Sequence, residues 1–196
     1  NEYTGRVLHR CFAEVGRQPV LPADGRILDI GSGAGNSLVS LLAMFPQHFV
    51  VASDLSPQML LALRKTLSPR LACDHLHLLQ LNAEHPDFVP DSFDLVVGIA
   101  ILHHLIDPAL AIRGAAAILR PGGLAIFSEP FENGNYLLSL ACRMILRDAA
   151  AQQLSPRIRQ LLADRIAAVT ARSGLEKTPE FLHSQDDKWL FTPGII

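Results

Sequence analysis

A short apolar run, Arg26-Ile-Leu-Asp-Ile30, ends in Gly31-Ser-Gly-Ala-Gly35. A stretch with Leu38, Val39, Leu41, Leu42 and Phe45 at helical spacing follows and stops at Pro46. This order of strand, glycine loop and helix constrains the chain more than any other feature. The alternating glycines strip side chains from the closest part of the turn. A ligand can therefore lie directly against backbone and against the start of the next helix. The dinucleotide fingerprint GxGxxG competes for this loop, but its last position here is Asn36, so the spacing is GxGxG. A phosphate-binding loop would need Gly-Lys-Ser/Thr next, and that is absent.

The segments around the loop repeat its rhythm. Arg6–Arg17 reads as an amphipathic helix, with Val7, Leu8, Cys11, Phe12 and Val15 on one stripe. Strands are expected at Phe49–Ser53, His75–Leu81, Phe93–Gly98 and Leu124–Ser128, the last after a tight turn at Arg120-Pro-Gly-Gly123. Helices are expected from Ser56-Pro57, a natural cap and first helical residue, to Leu67, and from Pro108 to Leu119. Strand and helix thus alternate five times. That predicts a doubly wound α/β fold, Rossmann-like, with a mostly parallel sheet and helices on both faces. After Glu129-Pro130 two helices are expected, Asn135–Ala151 and Pro156–Ser173, closed by Gly174. Thr178–Asp187 reads as a polar loop, and Thr192-Pro193 as the start of another helix.

Composition narrows the function. The 196 residues carry 17 Lys plus Arg against 19 Asp plus Glu, a net charge of −2. Such a balance disfavours a dedicated nucleic-acid binder and a broad attraction to anionic membranes. Apolar residues make up 49%, enough for a packed core, yet the longest apolar runs are too short to span a bilayer. Cys11, Cys73 and Cys142 are scattered, which points to reduced thiols and a cytoplasmic setting. No His or Cys cluster has metal-ligand spacing, so no metal is expected. No apolar leader is seen near Asn1, although the chain lacks an initial Met and stops on Pro-Gly-Ile-Ile.

Two positions join the loop as candidate ligand residues. Asp54, ending the second strand about twenty residues on, can accept hydrogen bonds from both hydroxyls of a ribose. The competing reading is an Asp that complements the start of a helix. Asn82 and Ala83, ending the third strand, offer a side-chain carbonyl and a backbone amide to an adenine edge, or form an ordinary turn.

Taken in order, these segments resemble the class I S-adenosylmethionine-dependent methyltransferases of the small-molecule type. The resemblance rests on Ile27-Leu-Asp-Ile-Gly-Ser-Gly-Ala-Gly35, Val50-Val-Ala-Ser-Asp-Leu-Ser-Pro-Gln-Met-Leu60, Leu81-Asn-Ala-Glu84, Ser92-Phe-Asp-Leu-Val-Val97 with Ile101-Leu-His-His-Leu-Ile-Asp-Pro108, and Leu119-Arg-Pro-Gly-Gly-Leu124. It implies that Gly31, Ser32 and Gly33 line the methionine and ribose of S-adenosylmethionine. It implies further that Asp29 fixes the loop and faces the cofactor's amino group. Asp54 would hold the ribose, Leu55 and Met59 flank adenine, Asn82 and Ala83 read its edge, and Gly98 and Ile99 pass under the methionine end. The family usually carries Asp where this chain has Asn82. The family sheet also has seven strands, the last two a hairpin. Five are clear here, so the closing strands are expected beyond Ile196.

An activated methyl donor asks the protein for position more than for chemistry. Catalytic candidates are His103 and His104, just past the fourth strand, and Glu129 at the end of the fifth. The alternative for the histidine pair is packing in a turn. Residues 1–130 are expected to form the S-adenosylmethionine-binding domain. Residues 131–196 would be a helical insertion or lid with the rest of the same domain. That insertion reads either as a cover for a small-molecule acceptor or as a helix pair packed on the sheet or on a second subunit of a homodimer. The function expected is methyl transfer to an O, N or C nucleophile of a small organic molecule. The alternatives are a non-catalytic S-adenosylmethionine-binding module of a larger protein and an NAD-dependent oxidoreductase.

Overall fold

The computed structural model describes residues 2–14, 21–67, 75–129, 133–173 and 177–191. Cys73, Gly174, Thr192-Pro193 and the end of the first expected helix lie outside them. The chain divides into two compact units, Asn1–Ser128 and Glu129–Ile196.

In the first unit five strands form one sheet: β1 (Arg26–Ile30), β2 (Phe49–Asp54), β3 (Leu76–Gln80), β4 (Phe93–Ile99) and β5 (Leu119–Ser128). Their order is β3-β2-β1-β4-β5 and all pairs are parallel. Successive side chains of a strand point to opposite faces, and here both faces are buried. Ile27, Val50, Ala52, Leu95 and Val97 pack in one cluster, Leu28, Ile30, Val51 and Val96 in another. This explains why the strands read as continuous apolar runs. The first face is covered by α1 (Glu2–Glu14), α2 (Leu38–Met44) and α3 (Pro57–Leu67), through Leu8, Phe12, Leu38, Leu41, Leu63 and Leu67. The second is covered by α4 (Pro108–Ile118), through Ala115 and Ile118. The doubly wound fold expected from the alternation is the one observed.

Two details of that unit differ from expectation. Strand and helix do not alternate throughout, because residues 81–92 between β3 and β4 hold turns and no helix. Arg120-Pro-Gly-Gly123 is also not a separate turn before the strand. It is a bulge inside β5: Phe93 pairs with Leu119, and Leu95 already pairs with Leu124. The bulge turns Arg120 onto Asp94, with Nη1 3.0 Å from Oδ2.

The second unit holds α5 (Asn133–Arg147), a 3-10 turn at Ala149–Gln153, α6 (Pro156–Ser173) and α7 (Pro179–Ser184). The helix expected to reach Ala151 stops at Arg147, because Asp148 turns extended and accepts from the Ala150 amide at 2.8 Å. The expected loop at Thr178–Asp187 contains α7: Thr178 caps it by accepting from the Phe181 amide, and Pro179 opens it. Lys177 closes the end of α6. Its Nζ donates to the Ala171 carbonyl at 2.8 Å and lies over the rings of Phe181 and Trp189. No helix among the described residues is long and apolar enough to cross a membrane.

Candidate active site

β1 lies between β2 and β4, so the chain winds outward from it on one side and returns to the other. Ligands of such sheets sit outside the carboxyl ends of the strands, where the winding reverses. The Gly31–Gly35 loop after β1, Asp54 ending β2, and Gly98 and Ile99 ending β4 all belong to that edge.

The loop is built around two demanding backbone positions. Gly31 has φ +70°, and a Cβ there would come within 2.6 Å of Ile101 Cδ1, so conformation and space both require glycine. Gly33 has φ +52°, and a Cβ there would meet nothing within 4 Å. The backbone is therefore bare on an open side. The Gly33 amide donates to Asp54 Oδ2 at 2.9 Å, and the Ser56 amide donates to Oδ1 at 2.9 Å. Each carboxylate oxygen has two acceptor directions, so one on each remains for a diol.

Beneath the loop, serines join β1 to β2. The Ser32 amide donates to the Ser53 carbonyl at 2.8 Å, and the Ser53 amide donates to the Ser32 hydroxyl at 3.1 Å. Both hydroxyls donate to the Asp29 carbonyl, at 3.1 and 3.0 Å. The Asp29 carboxyl is fully buried and accepts from the Ser37 hydroxyl at 3.0 Å. Burial pushes its pKa from 3.8 up to about 7. The hydroxyls of Ser32 and Ser37 oppose the shift and the Asp54 charge adds to it. Ser37 and Ser53 were not legible as site residues, because a lone serine has no spacing signal.

The adenine candidates divide. Leu55 and Met59 are exposed, at the start of α3, where the Ser56 hydroxyl accepts from the Met59 amide. Asn82 uses its side-chain oxygen in a turn, accepting from the Glu84 amide at 3.0 Å, and Ala83 is buried. Glu84, which sequence reading passed over, accepts from the Asp107 amide and so ties this turn to the start of α4.

Near the end of β4, Gly98 sits opposite Phe127 of β5, whose ring would clash with any Cβ there at 2.6 Å. Ile99 ends the strand and Ile101 covers Gly31. His103 and His104 then share one 3-10 turn, ring centroids 4.0 Å apart, with His103 buried. This turn therefore begins at a residue that touches the glycine loop. Glu129 directly follows β5 and is half-buried.

A methyltransferase domain model matches residues 28–125, half of the chain. A ubiquinone/menaquinone biosynthesis C-methyltransferase of Syntrophotalea carbinolica is 30% identical over 85% of this chain and 68% of its own length. A trans-aconitate 2-methyltransferase of Methylobacterium nodulans is 29% identical over 89% of this chain and 58% of its own. Other curated relatives are covered for only 26–42% of their length. The crystal structure of a putative sarcosine dimethylglycine methyltransferase from Galdieria sulphuraria superposes with a TM-score of 0.58 over 93% of this chain and 76% of that one. At 17% identity it speaks for the fold alone. The chain belongs to the class I S-adenosylmethionine-dependent methyltransferases, an enzyme family.

Proposed function

We propose that this chain binds S-adenosylmethionine at the carboxyl edge of β1, β2 and β4 and directs its methyl group to a small organic acceptor. The observation that carries the reading is the Gly33–Asp54 hydrogen bond at 2.9 Å. It holds a bare, open loop beside a carboxylate that still has two acceptor directions. When bound, the cofactor supplies an activated methyl on a sulfonium centre. Gly31, Ser32 and Gly33 line its methionine and ribose, Asp54 accepts from the ribose hydroxyls, and exposed Leu55 and Met59 flank the adenine. Asn82 and Ala83 read the adenine edge, and Gly98 and Ile99 pass under the methionine. Asp29, buried and held by Ser37, fixes the loop from below. His103, His104 and Glu129 are the groups proposed to take the proton that an oxygen acceptor gives up as its bond to the methyl carbon forms. Both relatives are named for small-molecule chemistry, which supports the acceptor class.

Calorimetry with S-adenosylmethionine, its demethylated product and NAD tests the cofactor. Binding of the first two without NAD is expected, and NAD binding alone would return the oxidoreductase reading. Methyl transfer to a panel of organic acids, phenols and quinones tests the rest. Tight product binding with no transfer across that panel would favour a non-catalytic module. On an oxygen acceptor, His103→Ala or His104→Ala is expected to lower turnover by about 100-fold with cofactor affinity kept. Unchanged turnover in both removes the histidine base.

A further inference from the structure

The segment between β4 and α4 carries His103 and His104, and contacts at both of its ends fix where it stands. It leaves the sheet through Ala100, whose φ of +55° is rare for a residue with a side chain. The Ala100 amide holds that conformation by donating to the Ser128 carbonyl at 2.8 Å. Ile101 then lies against Gly31. At the far end, the Asp107 amide donates to the Glu84 carboxylate.

Local sequence does not call for that last contact. Asp107 is the N-cap of α4, and its side chain accepts from the Ala109 amide at 2.9 Å. In a capping box the third helical residue is Glu or Gln, which accepts in return from the amide of the cap. Here the third residue is Leu110, which has no acceptor in its side chain. Glu84, 23 residues earlier in the chain, takes that role. A carboxylate on an amide at the positive end of a helix makes a charge-assisted hydrogen bond. The turn that carries Glu84 is itself fixed. The Glu84 amide donates to Asn82 Oδ1 at 3.0 Å, and Pro86 packs so closely on Gly114 of α4 that a Cβ there would come within 2.6 Å of its ring. Asn82, Glu84 and Asp107 thus form one line of hydrogen bonds from the candidate adenine turn to the foot of the histidine segment. Its other end rests on the glycine loop through Ile101.

We propose that Glu84 is a positioning residue for methyl transfer. Through Asp107 it places the His103–His104 turn by reference to the turn that reads the adenine. The inference rests on the cofactor reading above and adds a coupling to it: an occupied adenine turn and an ordered histidine turn favour each other.

The test is hydrogen exchange on the full chain with and without S-adenosylhomocysteine, beside calorimetry. In the unaltered chain the product is expected to protect amides of residues 101–107 as well as those of 82–86. Glu84→Ala is expected to lower product affinity by about tenfold, the size of one charge-assisted hydrogen bond, and to abolish the protection of 101–107 at saturating product. Glu84→Gln keeps a side-chain oxygen acceptor. It should bring the affinity back to within about threefold of the parent and restore the protection. On an oxygen acceptor, kcat at saturating cofactor should fall about tenfold in the Ala variant, with acceptor KM within about twofold, and recover in the Gln variant. A variant Glu84→Ala that loosens only α4, with product affinity and 101–107 protection unchanged, overturns the proposal and leaves Glu84 as a helix cap. Product bound by the unaltered chain without protection of 101–107 overturns it as well, and leaves the cofactor reading standing. An unaltered chain that does not bind the product overturns both.

Discussion

The two ends of the parallel sheet treat carboxylates in opposite ways. At the amino end, Asp94 meets the Arg120 guanidinium at 3.0 Å and the Arg26 amide at 2.8 Å. Its charge is compensated, and the contact pins the β5 bulge to the start of β1. At the carboxyl end, Asp29 meets a hydroxyl and Asp54 meets two backbone amides. Among the described residues neither meets a cationic side chain. Asp29, fully buried, is pushed toward its neutral form. Asp54 keeps a carboxylate without a counterion next to an open loop, an arrangement that costs stability and persists where a ligand completes it. The acceptor directions left on Asp54 suit hydroxyl donors such as those of the ribose proposed above, whereas the charge of Asp94 is already met by Arg120.

The largest effect expected from this contrast is a pH dependence at Asp29. Its folded pKa is about 7 against 3.8 for the free side chain, so between those values the folded state holds a proton that the unfolded state has lost. Stability is then fully present below about pH 4 and falls as pH rises through 7, levelling off above. The size is on the order of 4 kcal/mol over that range. Denaturant titrations from pH 4 to 8 should show the fall, and Asp29→Asn should flatten it. A wild-type profile no steeper than that of the Asn variant would place Asp29 with the compensated carboxylates.

Next in size is Asp54→Ala. Two charge-assisted hydrogen bonds to a ribose account for about 100-fold in cofactor affinity, so calorimetry should show a loss of that order. Asp54→Asn should keep part of it, because one oxygen acceptor survives. Affinity unchanged in both variants would move the ribose away from β2.

How much of this could be foreseen depends on the range of the forces involved. Burial on both faces writes itself into contiguous apolar residues at β1, β2 and β4, and shorter apolar runs marked the edge strands β3 and β5. All five strands were therefore legible, as was the Ser56-Pro57 start of α3. The glycine loop was legible because positive φ selects glycine. The β5 bulge was not: Arg120-Pro-Gly-Gly123 has the local chemistry of a turn, and only pairing with β4 and the ion pair to Asp94 keep it within the strand. α7 was missed although Thr178-Pro179 repeats the signature of Ser56-Pro57, because a six-residue helix is too short to show an apolar period. The Ser32–Ser53–Asp29 network joins residues up to 24 positions apart, and it exists only once β1 and β2 lie side by side.

The smallest effect expected is at the compensated end, and it is of a different kind. Asp94→Ala removes the acceptor of the Arg26 amide and the partner of Arg120, whose side chain is 32% exposed against 10% for Asp94. Arg120 can turn to water, so the loss stays well below that of a fully buried pair, at about 2 kcal/mol of folding stability. Asp94 lies five residues from the end of β4, about 16 Å along the strand, too far to share partners with Asp54. Melting and calorimetry on one preparation should therefore show a lower midpoint with cofactor affinity within about twofold of the parent. If Asp94→Ala weakened cofactor binding as much as Asp54→Ala, the two ends would be coupled through β4. The contrast between a structural and a ligand-holding edge would then fail.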